Sequence, residues 1–183
     1  MKLPNLKILD ETDKTLRQIS KEVTFPLEKE DLKLIDDALT YLEMSQIDEY
    51  NEKYNLRAGM GLSFIQLGIP KRIFVASEEL EDGTFKRHVI INPEIVSKSE
   101  ELIFVGEGEG CLSIARPVDG IVPRHARITI KAYDIDGNPF NIRVREDISV
   151  LFQHEIDHLN GILFIDHIDK DNPYKNEHLM REI

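Results

Sequence analysis

The chain has 183 residues and a formal net charge of −11, so it is long enough for one well-packed domain and too acidic for a typical nucleic-acid groove. We therefore expect a single domain over residues 1–183 with no DNA partner. No run approaches the ~20 apolar residues of a membrane span, and the N-terminus lacks the apolar core of a signal peptide, so we expect no membrane partner and a cytoplasmic location. One cysteine cannot form an internal disulfide, which fits a reducing compartment.

The N-terminal third is predicted to contain a loop region and one long helix. Residues 1–26 alternate short polar and apolar pieces, with one helical turn near residues 15–20. From Leu27 to about Tyr50, apolar residues recur at three- and four-residue spacing with acidic residues on the other face, which predicts a packing helix. The polar stretch 48–57 is predicted to be a loop or a frayed helix end.

A glycine-containing segment follows, Gly59-Met60-Gly61-Leu62-Ser63-Phe64-Ile65-Gln66. Two glycines before a short apolar run indicate a close backbone approach followed by a brief helix, which Gly68 and Pro70 end. The segment is not a dinucleotide-binding fingerprint, because the third glycine is missing and no strand precedes it.

Between Arg72 and Arg145 the apolar period changes toward two, which predicts β-strands. The predicted strands are residues 73–76, 88–92, 95–99, 102–107, 128–133 and 140–145, with turns at 81–83 and 136–138. Because these strands precede a last long helix without alternating helices, we predict an α+β fold with antiparallel or mixed sheets wrapped around that helix. The polar tail after Asp169 is predicted to end in a short helix.

The last long helix carries a His-Glu-x-x-His pattern within Gln153-His154-Glu155-Ile156-Asp157-His158-Leu159-Asn160-Gly161. Asp147 is a suitable N-cap, and Gly161 is a natural end of the helix. Residues i and i+4 share one helix face, so His154 and His158 can bind one metal ion. Glu155 is poorly placed as a third ligand but well placed to contact a water on that ion.

Two histidines leave a metal ion short of the three protein ligands that catalytic sites commonly use. A zinc-protease pattern with a third histidine fails, because Phe164 occupies its position. Glu177 in the tail is one remaining candidate and would make a zinc endopeptidase. Cys111 is the other candidate for the third ligand. A lone cysteine is more often a small buried hydrophobic residue. A thiolate beside two neutral imidazoles, however, suits Zn(II) or Fe(II). A non-catalytic protein that binds a metal for stability or redox sensing is the third interpretation.

The three segments Gly59–Gln66, Glu109-Gly110-Cys111-Leu112-Ser113 and Gln153–His158 resemble, in this order, the three motifs of peptide deformylases. Phe25-Pro26-Leu27 and residues 153–162 also resemble the longer class found in Gram-positive-type bacteria. The resemblance implies a hydrolase that removes the formyl group from the N-terminal formyl-Met of nascent chains, with the ribosome as a candidate partner. It also implies one divalent metal, Fe(II) in vivo, which Zn, Ni or Co can replace.

The resemblance further assigns roles to residues at the motif positions. The implied metal ligands are Cys111, His154 and His158. Glu155 would take a proton from the attacking water and pass it to the leaving amine. The Gln66 side-chain amide and the Leu112 backbone N–H would stabilise the oxyanion. Glu109 would organise its loop, and Gln153 and Asp157 are candidates for supporting the ligands from behind.

The pocket for the methionine side chain is expected to be apolar and concave, with Met60, Val150 and Leu151 as candidate wall residues. The substrate backbone would add as a strand beside Gly61 and the next residue, or beside residues 106–110, which include Glu109 and Gly110. One departure is evident: the family usually has two alanines where this chain has Ser63-Phe64. The bulk of Phe64 must therefore be accommodated by a neighbour.

Overall fold

The computed structural model describes residues 1–183 as two β-sheets packed around helices. The helices are α1 (Lys29–Gln46), α2 (Asp48–Tyr54) and α3 (Glu146–Leu159), with short 3-10 turns at Lys14–Arg17, Phe64–Leu67, Phe164–His167 and Glu177–Leu179. The strands are β1 (Gly61–Ser63), β2 (Ile73–Glu79), β3 (Phe85–Lys98), β4 (Leu102–Phe104), β5 (Arg124–His125), β6 (Arg127–Tyr133), β7 (Pro139–Arg145) and β8 (Arg181–Glu182).

The larger sheet has the order β1-β2-β3-β6-β7 and is antiparallel throughout, whereas the smaller sheet has the order β5-β4-β8 with β4 and β8 parallel. The predicted α+β class with mixed sheets around the helix of the His-Glu-x-x-His pattern, and with a long N-terminal helix, is confirmed. None of the helices has both the length and the apolar character that crossing a lipid bilayer requires.

Strand β2 separates the two largest parts of the core. Its alternate residues point to opposite faces, so Ile73 and Val75 pack with α1 while Phe74 and Ala76 pack with α3. Phe74 meets Phe152 of α3 edge to face, with ring centroids 5.2 Å apart. This packing fixes α3 against the larger sheet, and the face of α3 that carries the motif is thereby held in a defined orientation.

Phe64 occupies the core beneath α1 and does not enter the pocket beside the motif. Its side chain is fully buried in one cluster with Ile35, Leu39 and Leu42. The bulk that distinguishes this chain from the usual alanine is therefore accommodated by α1.

Because Phe64 is fully buried, Phe64→Ala is expected to lower the free energy of unfolding by about 3–5 kcal/mol through the cavity it leaves. Chemical denaturation measures this loss, and a loss below about 1 kcal/mol would mean that α1 collapses into the space. Restoring alanine at both residue 63 and residue 64 is expected to give no gain in kcat.

Several predicted boundaries were wrong. The polar stretch predicted as a loop or a frayed helix end contains a separate helix, α2, at residues 48–54. The Asn51 side-chain amide donates to the carbonyls of Ser45 and Leu56 and stabilises this polar segment. The two strands predicted at 88–92 and 95–99 are one strand, β3, whose pairing with β6 shifts register within it.

The prediction that Asp147 caps the last helix was also wrong. Strand β7 runs directly into α3, so Arg145 is the N-cap, and Glu146 makes the turn at a positive φ of 53°. Asp147 lies in the first turn, where its charge still favours the helix dipole. At the other end α3 stops at Leu159, and Gly161 follows with a φ of 72° that suits glycine, as predicted.

Candidate active site

The side chains of Cys111, His154 and His158 form one buried cluster. Helix α3 places both imidazoles on one face, with ring centroids 5.0 Å apart, and the loop after β4 brings the cysteine to them. The sulfur lies 3.3 Å from Nε2 of His158, and one ligand atom from each of the three residues lies within 4.8 Å of the others. Glu177 is exposed in the C-terminal tail, outside this cluster.

The chemistry of this cluster fits a divalent cation, which requires a thiolate and imidazoles with a free nitrogen. The Cys111 sulfur accepts the backbone N–H of Ser113 at 3.4 Å and lies 3.7 Å from Nε2 of Gln66, and both donors favour negative charge on sulfur. The Nδ1–H of His154 donates to Glu109 at 2.8 Å, which leaves Nε2 of that ring free.

The two imidazoles of the cluster have pKa values shifted in opposite directions. Burial acts against a charged His154, but the Cys111 sulfur and the carboxylates of Glu109 and Glu155 raise its pKa to about 10. Burial and the neighbouring His154 hold the pKa of His158 well below its ordinary value, so this ring is neutral. The sulfur and the two carboxylates that favour a proton on His154 would also favour a cation bound beside that ring.

Glu109 links the cysteine loop to α3 through a buried ion network. Arg124 donates to both oxygens of Glu109, at 2.7 and 3.0 Å, and to Asp157 at 2.6 Å. Burial opposes the charge of Glu109, but the hydrogen bonds from His154 and Arg124 lower its pKa to about 2. Glu109 therefore stays ionised and holds the His154 ring in place.

The two candidate support residues on α3 form no direct hydrogen bond to the candidate ligands, and Asp157 is linked to His154 through Arg124 and Glu109. Gln153 accepts the N–H of His125 at 3.0 Å and donates to its carbonyl at 2.9 Å, which joins α3 to β5. Asp157 accepts from Arg124 and, at 2.7 Å, from Nε2 of His167. Arg124 itself was missed from the sequence, although a lone charge after the apolar pair Ile121-Val122 is a signal that could have found it.

Glu155 lies beside the cluster and is 2% exposed. Its Oε2 accepts the hydroxyl of Ser63 at 2.7 Å, and burial raises the pKa of its carboxyl group. Its Oε1 lies against Gly61, where an added Cβ would come within 2.6 Å of it. Position 61 therefore requires glycine for the close approach that the sequence predicted.

A pocket of about 390 Å³ opens beside this cluster. The three predicted wall residues, Met60, Val150 and Leu151, all line it. The other predicted site residues on its wall are Gly61, Gln66, Glu109, Gly110, Cys111, Leu112, His154 and Glu155. Apolar side chains and candidate catalytic groups thus face the same space.

One strand edge on the pocket wall is free for an extended ligand. Strand β1 is at the edge of its sheet, and the N–H of Ser77 donates to the carbonyl of Met60. In an antiparallel ladder the neighbouring residue, Gly61, then directs its N–H and C=O away from β2. The other predicted edge is partly used, because the N–H of Gly106 donates to the carbonyl of Ile183.

Gln66 is buried in this site. A polar residue on a short helix could equally have faced solvent, so its burial is a finding of the structure. Its Oε1 accepts the N–H of Ser63 at 2.9 Å, and its Nε2 donates to Ser113 at 3.1 Å. The Leu112 N–H donates to no other group of the protein. Two donors are therefore placed next to the cysteine.

An α+β fold built on a His-Glu-x-x-His helix, with a buried Cys-His-His cluster and a carboxylate beside it, defines the class of metal-dependent hydrolases. Comparisons with known proteins narrow this class. The family model described as polypeptide deformylase matches residues 5–174. The chain belongs to the peptide deformylase family and is a hydrolase that removes the formyl group from N-terminal formyl-Met.

Individual relatives agree with this assignment. The chain is 48% identical to the peptide deformylase of Ligilactobacillus salivarius, over 91% of each chain. Its fold matches the crystal structure of the peptide deformylase from Ehrlichia chaffeensis with a TM-score of 0.74 at 33% identity, over 91% and 89% of the two chains. It also matches the Met-Ala-Ser-bound enzyme of Acinetobacter baumannii with a TM-score of 0.71 at 26% identity, over 91% and 100%. The resemblance seen in the three motifs is confirmed.

Proposed function

We propose that deformylation takes place at the buried Cys-His-His cluster, with Cys111, His154 and His158 as the metal ligands. One observation carries this proposal: the three ligand atoms lie within 4.8 Å of one another, and two of the three residues, Cys111 and His154, line the same pocket as Glu155. The metal in vivo is Fe(II), and Zn, Ni or Co can replace it. A bound divalent ion supplies a water of lowered pKa and polarises the formyl carbonyl.

Glu155 is the residue that moves the proton. It is the acid or base nearest the cluster that forms no ion pair, and its Oε1 is free on the pocket side. Its raised pKa, caused by burial, suits a group that accepts a proton from water and then donates it to the leaving amine.

The Gln66 side-chain amide and the Leu112 N–H stabilise the oxyanion that forms on the formyl carbon. Each such donor contributes about 2.7–4 kcal/mol to lowering a barrier when it is aligned in advance. The contacts of Gln66 Oε1 with Ser63 keep its amide NH₂ directed toward the cysteine side of the site. Burial of the amide excludes water that would compete for these hydrogen bonds.

The peptide substrate binds as an added strand along Gly61, with its methionine side chain between Met60, Val150 and Leu151. The alternative edge is Glu109–Gly110, because Gly106 is already hydrogen bonded. The A. baumannii relative has been solved with Met-Ala-Ser bound, which supports a short peptide beginning with methionine as the ligand.

The proposal includes the setting in which the enzyme acts. Residues 1–183 form one catalytic domain that works in the cytoplasm on nascent chains, with the ribosome as a partner and with neither DNA nor membrane. The substrate supports these assignments. Formyl-Met is the first residue of a newly made chain, so an enzyme that acts on it is expected to work where chains leave the ribosome.

The test is anaerobic purification with metal analysis, followed by incubation with formyl-Met-Ala-Ser. We expect about one metal ion per chain and release of formate. Acetyl-Met-Ala-Ser and a longer peptide without a free or formylated N-terminus are the controls, and both are expected to remain intact. Cleavage inside the longer peptide would instead support the zinc endopeptidase.

A further inference from the structure

The hydroxyl of Ser63 contacts the proposed proton carrier directly. Ser63 is fully buried, and both acceptors of its hydroxyl belong to Glu155, across 92 positions of the sequence. Oε2 is the nearer at 2.7 Å, and the backbone carbonyl oxygen lies at 3.0 Å. No other side chain of the protein donates a hydrogen bond to this carboxylate.

The same serine also contacts Gln66 at the start of the 3-10 turn. The Ser63 N–H donates to Oε1 of Gln66 at 2.9 Å. The amide oxygen of Gln66 is thereby occupied, so its NH₂ group is the end that faces Ser113 and the Cys111 sulfur. An amide rotated by half a turn would lose these contacts.

We propose that Ser63 is a positioning residue for deformylation in this chain and couples the orientation of Glu155 to that of Gln66. This inference rests on the proposed function, in which those two residues act on the substrate. By holding Oε2, Ser63 directs Oε1 of Glu155 toward the pocket. By donating its backbone N–H to Oε1 of Gln66, the same residue links the proton carrier to the oxyanion donor.

A residue that served only to start the 3-10 turn would need only the backbone N–H that Gln66 accepts, and no hydroxyl. The additional bond to a buried carboxylate distinguishes the two roles. A hydrogen bond to a charged group is stronger than one between neutral groups, and a loss of orientation near the reacting atoms affects the rate more than binding. Ser63 should therefore influence kcat and leave KM unchanged.

The decisive variant is Ser63→Ala, which removes only the hydroxyl and keeps the backbone N–H that Gln66 accepts. We expect kcat for formyl-Met-Ala-Ser to fall about tenfold, with KM within about twofold of the original and the metal content unchanged. The matched control is Ser77→Ala. Ser77 is also a fully buried serine that donates to a buried glutamate, Glu43, but on the α1 side. Its loss is expected to leave kcat and KM unchanged.

Coupling is measured in a Glu155→Asp background, where the shortened carboxylate is withdrawn from the serine. Ser63→Ala should then cost less than about twofold in kcat, because the contact is already lost. An unchanged kcat in Ser63→Ala, or an equal loss in both backgrounds, would refute the positioning role. The proposed function fails separately, if Glu155→Gln remains active.

Discussion

Cys111→Ser is expected to leave the purified protein almost without metal and to lower deformylase activity by at least about a hundredfold. Serine has nearly the shape of cysteine, but its hydroxyl does not ionise at neutral pH and is a poor partner for Fe(II) or Zn(II). The two imidazoles remain, and two nitrogen ligands alone do not complete a catalytic site. Metal analysis of anaerobically purified protein and the formyl-Met-Ala-Ser assay measure both losses.

Glu177→Gln is the matched control, because it removes the carboxylate that the sequence offered as the alternative third ligand to the Cys111 thiolate. Glu177 is exposed and lies outside the cluster, so metal content and activity are expected to stay at the original level. Retention of metal in Cys111→Ser together with its loss in Glu177→Gln would reverse the ligand assignment and favour the endopeptidase.

The parts of the molecule that the sequence predicted are those with a local signature. The spacing of His154 and His158 on a helix needs only the helical period, and the long strands appear in the apolar alternation. The resemblance of three ordered motifs supplied Cys111, which spacing alone left open against Glu177. Strands β5 and β8 have two residues each, too few for any period to be detected.

The parts that were missed depend on contacts between distant positions. Arg124 is 15 positions from Glu109 and 33 from Asp157 along the sequence. Neither separation corresponds to a helix or strand period, so the sequence gives no sign that these residues meet. The bond between Ser63 and Glu155 spans 92 positions, so the serine appeared only as a departure from the motif. Short strands and polar networks are set by the tertiary structure, and the local sequence does not encode them.

The two glutamates beside the cluster show how their surroundings separate their roles. Glu109 is buried with Arg124 and His154, so it is held ionised with a pKa of about 2. Glu155 is also buried, but its one side-chain partner is a neutral hydroxyl, and burial raises its pKa. A carboxylate fixed in an ion network cannot carry a proton at neutral pH, whereas one with a raised pKa can accept and release it.

Glu155→Gln is therefore expected to lower kcat by about 10²–10⁴-fold, the usual contribution of a positioned acid or base. The amide keeps the size of the side chain and can still accept the Ser63 hydroxyl, so the fold and the metal ligands should be undisturbed. The variant should still contain about one metal ion per chain and have an unchanged melting temperature, which would show that only the carboxylate was lost.

The assay compares kcat with metal content in the same preparation of Glu155→Gln, so that a loss of activity is attributed to the carboxylate and not to the ion. If activity falls only in proportion to a loss of metal, Glu155 supports the site and does not transfer the proton. If activity and metal are both retained, another group must accept the proton. The cluster offers no second candidate, because Glu109 is held in its ion network and the remaining groups are the proposed metal ligands.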